Sequence, residues 1–474
     1  MKIAILSPYA TVAPHFETEL EIAQQHLDQH HDVECISCFG KLHNCDFNLD
    51  RNPARCEDCV GRRKAGFQML QPAIRSVELE PENLQSILPI FKDLEELKAF
   101  YVDNFDVGYA ALSSLVSVCR DPEPDLQRWQ PLLQRLMQSA LTTYHATRKY
   151  LTTSRPDRVY LFNGRFAAMR AVLRACTREQ VDCFIHERGC DNYHYDLFKN
   201  HLPHDIKAIQ ETMLKQWQQA APDREDVAAQ WYCDRVNRVE KNWHSFTKGQ
   251  VTGRMPSQWN NLEKNLTIFC SSDDEFVAIG DHWKNTLYPN QLEGIKRVVT
   301  DMASASPETK IYLRVHPNLK DVDNQSKREM LNLQSPNLTV IPPEATVDTY
   351  EMVRRSDSVA TFGSSVGIEA VYWGTPSILL GPSFYNGLGG VRVPDNHKAA
   401  LALLTQKLEA TDRTAALIYG YWQQTHGIPY RYFEPTGLFE GKFKGQIVYS
   451  GMKQPKPRLF RRALQLVQRK AMSA

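Results

Sequence analysis

Three short segments in the second half of the sequence carry side chains that can bind phosphate and sugar hydroxyl groups. Serine hydroxyls and free backbone N–H groups donate to phosphate oxygens, and imidazole contacts a base, a ribose or a phosphate. The segments are Cys270-Ser271-Ser272-Asp273-Asp274-Glu275, Arg314-Val315-His316-Pro317 and Thr361-Phe362-Gly363-Ser364-Ser365-Val366-Gly367-Ile368-Glu369. Each segment also fits a plainer role, because serine and aspartate cap helices and proline ends a strand.

The elements around these segments place them at one edge of a sheet. Apolar runs predict strands at 266–270, 311–315, 338–341, 358–362 and 377–380, with helices at 290–304, 347–356 and 365–373. This alternation is typical of a parallel sheet, whose ligands lie at the carboxyl ends of the strands. We therefore predict one binding site. Its residues are Ser271, Ser272, Arg314, His316, Ser364, Ser365, Gly367 and Glu369.

The first half of the chain repeats this alternation and adds helices to it. Strand, helix and strand are predicted at 2–7, 17–29 and 31–36, and again at 157–162, 167–178 and 181–186. Helical patterns also cover 83–151 and a connection at 205–262. The predicted fold class is α/β, with two Rossmann-like domains facing a central cleft and extra helices in the N-terminal half. The predicted domains are 1–260 and 261–450, followed by a tail at 451–474.

The motifs of the second half resemble those of a known family. Arg314-x-His316-Pro317, Ser364-Ser365-x-Gly367-x-Glu369-Ala370 and Gly374-Thr375-Pro376 are similar to the paired HP and SS motifs of bacterial capsule polysaccharide biosynthesis proteins. That group includes Kdo transferases, several sialyltransferases and the related CDP-glycerol polymerases. The resemblance implies a GT-B glycosyltransferase. In it, His316 would contact the donor nucleotide, Ser364 and Ser365 its phosphate, and Glu369 its ribose.

The first half resembles the acceptor side of such enzymes. Residues 8–20 look like the opening βα loop and acceptor-side helix, and His186-Glu187-Arg188-Gly189 is similar to the acidic-x-Gly turn of the Kdo and sialic acid enzymes. The resemblance implies that Glu187 is the base on the acceptor hydroxyl, with His15 as the alternative. Arg188 departs from the family pattern, and an ion pair with it would make Glu187 structural. The candidates for binding acceptor or donor sugar are Asn163, Arg165 and Arg188.

Together these features predict transfer of a sugar from a nucleotide-activated donor. The donor is expected to be either a CMP-linked sugar of the Kdo or sialic acid type or a UDP-sugar. The expected acceptor is a surface or capsular polysaccharide or a lipid-linked glycan. No catalytic divalent metal is expected, because no Asp-x-Asp metal motif is evident in this context and helix N-termini and serine donors suit the charge of the departing phosphate. Two alternatives stay open, a GT-B-fold sugar-nucleotide epimerase or polyol-phosphate polymerase and a non-catalytic nucleotide- or partner-binding module. The net charge of +1 over 474 residues argues against a nucleic acid partner.

Five of the eleven cysteines fall within an insertion predicted at 35–66, of which 37–66 is rich in turn residues. The spacing C-x6-C-x10-C-x2-C, which is typical of a structural zinc site, is formed by Cys38, Cys45, Cys56 and Cys59. Cys35 forms a second C-x-x-C pair with Cys38 but lies in a predicted strand. An iron–sulfur cluster uses the same ligands and stays open, as do unliganded thiols.

The C-terminal residues 453–470 hold seven lysines and arginines and no acid, with apolar residues on one helical face. Such a helix suits an anionic membrane surface, although a docked helix or a solvated tail fits the same pattern. No apolar run reaches the length that spans a bilayer, and the N-terminus lacks the pattern of a signal peptide. The expected location is the cytoplasm, peripheral at the inner face of the membrane.

Overall fold

The computed structural model describes residues 1–79 and 88–448, in which strands and helices alternate along the chain. The strands are β1 (Lys2–Leu6), β2 (Asp32–Ser37), β3 (Arg75–Glu78), β4 (Arg158–Phe162), β5 (Asp182–Arg188), β6 (His194–Lys199), β7 (Asn265–Phe269), β8 (Lys310–Arg314), β9 (Leu338–Ile341), β10 (Ser358–Thr361), β11 (Ser377–Leu379), β12 (Ile428–Pro429), β13 (Phe433–Gly437) and β14 (Glu440–Phe443). The helices are α1 (His15–Asp28), α2 (Pro53–Gln68), α3 (Leu94–Lys98), α4 (Val107–Cys119), α5 (Leu126–Ser154), α6 (Ala167–Glu179), α7 (Ile206–Gln219), α8 (Arg224–Val236), α9 (Gln291–Ala305), α10 (Gln325–Leu331), α11 (Thr349–Arg355), α12 (Val366–Tyr372), α13 (His397–Thr405) and α14 (Thr414–Thr425). The predicted basic tail at 451–474 lies outside the described residues, and every described helix is too short or too polar to span a bilayer.

The first unit comprises Met1–Pro203 and the described residues from His426 onward. Its sheet has the order β12-β6-β5-β4-β1-β2-β3, in which β1 to β5 are parallel, β6 runs antiparallel to β5, and β12 runs antiparallel to β6 at the edge. The extra helices predicted within 83–151 are present as α3, α4 and α5, and α5 packs along α6. The order β3-β2-β1-β4-β5 is that of a Rossmann fold.

The second unit, His204–Thr425, contains a parallel sheet of the order β11-β10-β7-β8-β9. Its strands are continuous apolar runs because parallel sheets are covered on both faces, and all five residues of β7 are buried. Read as β9-β8-β7-β10-β11, this is again the Rossmann order. The predicted fold class, α/β with two Rossmann-like domains, is therefore confirmed.

The boundary between the units differs from the predicted position at 260. Helices α7 and α8, expected to connect the halves, pack against α14 in the second unit. The ring of Tyr232 on α8 stacks on Tyr372 with 3.8 Å between the centroids, and its hydroxyl donates to the Ala416 carbonyl at 2.5 Å. The helices are fixed by these buried aromatic contacts, which a periodicity pattern along the chain does not reveal.

After α14 the chain returns to the first unit. The sequence had instead predicted that residues 261–450 form one continuous second domain. β12 extends the first sheet beside β6, and the carboxylate of Glu21 on α1 accepts three backbone N–H groups. These come from Arg431, Tyr432 and Phe433 at 2.8, 2.8 and 3.0 Å. A carboxylate engaged in this way holds the returning segment against α1.

The segment 37–66 is not an insertion of turns. It forms a βα loop followed by α2, whose first residue is Pro53 and whose N-cap is Asn52, with the Asn52 side chain accepting the Ala54 N–H at 3.0 Å. Asparagine followed by proline is a helix-start signal, because asparagine caps the first turn and proline needs no N–H partner there. The Rossmann order therefore runs through this segment as β2-α2-β3.

Replacing Glu21 with alanine should destabilise the protein by about 2 kcal/mol, because three backbone donors lose a buried, charged acceptor. Urea unfolding followed by circular dichroism measures the loss. Glu211→Ala, which removes an exposed carboxylate on α7, should change the unfolding free energy by less than about 0.5 kcal/mol. Equal stability of the two variants would contradict the anchoring role of Glu21.

Candidate functional site

The three binding segments of the second unit meet at one edge of its sheet. They follow β7, β8 and β10, which lie side by side as β10-β7-β8 with all carboxyl ends pointing the same way. The chain reverses its winding between β7 and β10, and ligands of open α/β sheets bind in the crevice at such a switch point. Gly363 and Ser271 line this crevice, since a Cβ on Gly363 would stand 3.9 Å from Ser271 Oγ.

The Ser364-Ser365 turn is held by backbone geometry and by Tyr385. Gly363 has a φ of +113°, and a Cβ there would lie 2.5 Å from the Pro382 carbonyl oxygen, so the position requires glycine. The Tyr385 hydroxyl donates to the Ser364 carbonyl at 2.6 Å, and Gly367 leaves room for that hydroxyl. The turn therefore presents its two serines, both half-buried, in a fixed conformation.

Glu369 does not have the position expected of a ribose contact. Its side chain is 0% exposed, and the carboxylate accepts from Ser365 Oγ at 2.8 Å, from the Tyr350 hydroxyl at 2.7 Å and from Arg235 Nη2 at 3.3 Å. The charge of Glu369 raises the pKa of the Arg235 guanidinium. A buried carboxylate with three donors is satisfied within the protein, so Glu369 is a positioning residue for Ser365.

Arg314 likewise points its guanidinium at acceptors within the protein. Its guanidinium is buried and donates to the Pro342 carbonyl and, at 3.1 Å, to the Ala345 carbonyl. Burial lowers the pKa of Arg314 to about 10. The arginine holds the loop after β9 against the end of β8, because a buried guanidinium must find acceptors.

His316 lies at the carboxyl end of β8, as predicted, and is half-buried. Its Nδ1 accepts the Asn318 backbone N–H at 3.2 Å, and its ring meets Phe246 edge to face at 5.2 Å. The Asn318 amide donates to Ser272 Oγ at 3.2 Å and to Glu275 at 3.0 Å. The first two segments are thus joined by Asn318.

Ser271 and Ser272 are buried and part of the same hydrogen-bonded edge. The Ser271 N–H donates to Gln291 Oε1 at 2.7 Å, and Ser272 Oγ donates to Asp274 at 2.7 Å. The bond between Ser272 and Asp274 joins two side chains, so Ser272 makes no side-chain cap to the short helix that follows it. The Ser271 hydroxyl faces Gly363 across the switch point.

The first unit places three of its predicted residues near its own switch point between β1 and β4. Asn163 follows β4, Glu187 is the penultimate residue of β5, and His15 begins α1. The Asn163 amide donates to Glu187 Oε1 at 2.6 Å, and the His15 ring lies 3.8 Å from the Phe162 ring. Asn163 adopts a φ of +60°, which asparagine tolerates better than most residues.

The electrostatic surroundings act in opposite directions on the two candidate bases. Burial raises the pKa of Glu187, and the hydrogen bond from Asn163 and the charges of His186 and Arg188 oppose that rise. Burial lowers the pKa of His15 well below its ordinary value, and Arg188 and His186 lower it further. A raised carboxyl pKa makes a stronger base, whereas an imidazole that resists protonation is a weak one. These directions favour Glu187 over His15.

The two predicted arginines of the first unit have protein contacts. Arg165 Nη2 donates to Ser117 Oγ at 3.0 Å. Arg188 stacks over the Phe439 ring at 4.8 Å, and burial lowers its pKa. No ion pair of 4.0 Å or less between Glu187 and Arg188 is found in the described part of the chain, so the pairing that would make Glu187 structural is not formed as a direct contact.

The four predicted cysteine ligands lie near the carboxyl edge of the first sheet, but no three of them form a group of ligand atoms within 4.8 Å of one another in the described part of the chain. Cys38 follows β2, Cys45 lies in the loop, and Cys56 and Cys59 lie one turn apart on α2. Cys35 is inside β2 and packs in the core with Ile3, Ile5 and Phe16, and Cys59 packs against the same core cluster. Each of the cysteines is a free thiol.

Several residues that organise these sites were missed by sequence reasoning. Tyr385, Tyr350, Arg235 and Gln291 each come from a segment distant from the turn that it supports. In the sequence, the only indication of such a role was that these residue types can donate hydrogen bonds to a carbonyl or a carboxylate. An Asp-x-Asp pattern, Asp321-Val322-Asp323, was also overlooked in the sequence, and it follows the His316 segment. Its second aspartate, Asp323, forms an ion pair with Arg328 on the surface.

Comparison with known proteins identifies a family for part of the second unit. Residues 271–416 match the family model described as capsule polysaccharide biosynthesis protein. The matched range contains the second and third binding segments and all of the first except Cys270, so the predicted resemblance is confirmed over that range. No curated protein matches the chain in sequence.

Solved structures similar to the chain are distant. The KpsC beta Kdo 2,4 transferase of Thermosulfurimonas dismutans is 14% identical, with a TM-score of 0.39 over 56% of this chain and 79% of that chain. A putative UDP-N-acetylglucosamine 2-epimerase from Listeria monocytogenes is 10% identical, with a TM-score of 0.28 over 90% and 92%. The glycosyltransferase SnogD from Streptomyces nogalater is 12% identical, with a TM-score of 0.25 over 89% and 94%. At such scores no activity is transferred from these proteins.

Glu369→Gln should lower the unfolding free energy by about 2 kcal/mol, because the half-buried Arg235 guanidinium loses its charged partner. Tyr350→Phe should cost about 1 kcal/mol through the lost hydrogen bond. Chemical denaturation measures both, with the exposed Glu409→Gln as a control that should change little. Unchanged stability in Glu369→Gln, together with weaker nucleotide binding, would instead return Glu369 to the role of a ligand contact.

Proposed function

We propose that the chain is a glycosyltransferase of the GT-B type that uses a nucleotide-activated sugar as donor. The observation that carries this proposal is the convergence of the Ser271, His316 and Ser364-Ser365 segments at the switch point of the second sheet. The match of the same residues to the capsule polysaccharide biosynthesis model supports it. Following the resemblance, the donor is a CMP-linked Kdo or sialic-type sugar or a UDP-sugar, and the acceptor is a surface or capsular polysaccharide or a lipid-linked glycan.

The donor side would act by stabilising charge. When the sugar departs, negative charge grows on the phosphate that it leaves, and fixed donors that point to that position lower the barrier. Ser364 and Ser365 provide hydroxyls on a rigid turn, and His316 adds an imidazole at the neighbouring strand end. The hydroxyl proton of Ser365 is already donated to the Glu369 carboxylate. Ser364 is therefore the stronger candidate for donating a hydrogen bond to the phosphate.

The acceptor side would act by removing a proton. The acceptor hydroxyl attacks the sugar carbon efficiently only if a base takes its proton during the attack. Glu187 suits this role because burial raises its pKa while the Asn163 amide fixes one carboxylate oxygen. Its other oxygen has only a 3.4 Å contact with the Arg188 N–H.

Ser364→Ala should reduce turnover about 100-fold, because one phosphate donor is lost. The fold should be little affected, since the Ser364 hydroxyl makes only a 3.4 Å contact with the Val366 N–H. Release of CMP or UDP with and without a capsular acceptor measures turnover, and a thermal-shift series with CMP, UDP, GDP and CDP measures donor binding. Ser257→Ala, at an exposed serine, is the matched control. Full turnover by Ser364→Ala would contradict the phosphate assignment.

Asn163→Gly should move the acidic limb of the kcat/KM profile to higher pH. The Asn163 hydrogen bond lowers the pKa of Glu187, so its loss raises that pKa, and a base is ionised only above its pKa. Glycine keeps the φ of +60° without strain. The pH profile of transfer, measured for both proteins, tests this shift.

Asn200→Gly is the matched control for that measurement. Asn200 has a φ of +61°, and its amide also binds a carboxylate, that of Asp182 at the opposite end of β5, at 3.0 Å. Its loss should leave the acidic limb in place. An unmoved limb in Asn163→Gly, with loss of the limb in a His15→Asn variant, would assign the base to His15.

A further inference from the structure

The turn between β5 and β6 brings together three side chains of the types that bind metal ions. Cys190, Asp191 and His194 each offer one ligand atom, and these atoms all lie within 4.8 Å of one another. In the described part of the chain, no other three cysteine, histidine, aspartate or glutamate side chains meet that distance. The turn is therefore a separate place from the cysteines at 38–59.

The backbone of this turn is fixed from two sides. The Gly189 N–H donates to the His194 carbonyl at 2.9 Å, which closes the turn, and the Cys190 N–H donates to the His426 carbonyl at 3.0 Å. A Cβ on Gly189 would lie 2.7 Å from His194 Cβ, and one on Gly427 would lie 3.1 Å from the same atom. Because the backbone is held in this way, the three ligands need little ordering when an ion binds.

The ligand types and their spacing suit zinc. Zinc binds thiolate sulfur at about 2.3 Å, imidazole nitrogen at about 2.0–2.1 Å and carboxylate oxygen at about 2.0–2.2 Å, in a tetrahedron. These lengths set neighbouring ligand atoms about 3.3–3.6 Å apart, which lies within the 4.8 Å that the three atoms meet. Magnesium and calcium prefer sites made of oxygen atoms, so the Cys190 sulfur disfavours them.

Asp191 and His194 are bonded to each other beside the thiol. Nδ1 of His194 lies 2.6 Å from Asp191 Oδ1, and the same oxygen accepts the Tyr193 N–H at 2.8 Å. A zinc ion in place of the shared proton would require the two atoms to separate by less than about 1 Å. Both side chains are half-buried whereas Cys190 is 5% exposed, so an ion could enter from the solvent side.

Asn192, in the same turn, is an independent observation that points to a bound ion. Its Oδ1 is buried and has no hydrogen-bond partner within the described ranges. A buried acceptor without a donor is costly, and proteins usually satisfy it with another group, a water or an ion. A cation on the neighbouring side chains, or a water bound to that cation, would satisfy it. We propose that Cys190, Asp191 and His194 bind one zinc ion.

The ion would fasten the edge of the first sheet and would take no part in a reaction step. β12 pairs with β6 so that Pro429 lies opposite His194, and the Tyr430 N–H donates to the Tyr193 carbonyl at 2.9 Å. An ion in the turn would therefore stabilise the place where the returning segment joins the sheet. This role is independent of the reaction that the protein performs.

The test is metal analysis of the full chain, purified without chelator, equilibrated with zinc and then dialysed. About one zinc per chain should remain bound, and added zinc should raise the melting temperature of the zinc-free protein. Cobalt in place of zinc should give the visible absorption of a tetrahedral site with a thiolate ligand. Wild-type protein that retains no zinc after this treatment would overturn the proposal in favour of a hydrogen-bonded turn without a metal.

Variants of the ligands locate the site. Asp191→Asn removes the charge but keeps an oxygen that can accept the Tyr193 N–H, so the variant should fold and lose the zinc. Cys190→Ser should lose the zinc and, with cobalt, the thiolate absorption. Circular dichroism shows that each variant has folded. The melting temperature of Asp191→Asn should no longer respond to added zinc, a result that a merely structural aspartate would not produce.

Two matched variants serve as controls and should keep the zinc. Cys233→Ser changes an exposed cysteine on α8, and His244→Gln changes a histidine that lies 3.6 Å from the Glu240 carboxylate. Zinc retained by both Asp191→Asn and Cys190→Ser would overturn the assignment. Zinc lost from a Cys56→Ser, Cys59→Ser double variant, and retained by the two variants of the turn, would overturn it in favour of the cysteines on α2.

Discussion

The carboxylate of Glu369 is the point on which the binding edge of the second unit depends. It lies in the first turn of α12 and is removed from water, so its charge must be met by the protein. Ser365 within the turn, Tyr350 on α11 and Arg235 on α8 provide the donors. The buried charge thereby joins α8, α11 and α12 to the serine turn. This hydrogen-bonded network helps to fix the conformation of the turn.

The two units use the same strand order for different chemistry. In each, the winding reverses beside the first strand, and the candidate residues lie at strand ends at or next to the reversal. The second unit has hydroxyls, an imidazole and close glycines, which suit a phosphate. The first has a partly buried carboxylate with an amide partner, which suits a proton acceptor. The shared order supplies the crevice, and the loop residues determine what each crevice can bind.

Burial has opposite consequences for the acid and the imidazole in the first unit. It disfavours the charged form of both groups, so the pKa of Glu187 rises while that of His15 falls. Arg188 opposes the rise at Glu187 and adds to the fall at His15. The first and the alternative candidate base are thus affected in opposite directions by burial, which favours the first.

Local pattern alone determined most of the parallel strands and the loops that follow them, because period and apolar content are properties of neighbouring residues. The strands predicted at 266–270, 311–315 and 358–362 agree within one residue with β7, β8 and β10, and the resemblance marked the same loops. Tertiary structure decided which polar groups in those loops remain available. Arg314 and Glu369 carry the types expected of ligand contacts, yet both are consumed by partners remote in the chain, Pro342 and Arg235 among them. No spacing pattern reports such a partner, because it is brought into contact only when the helices pack.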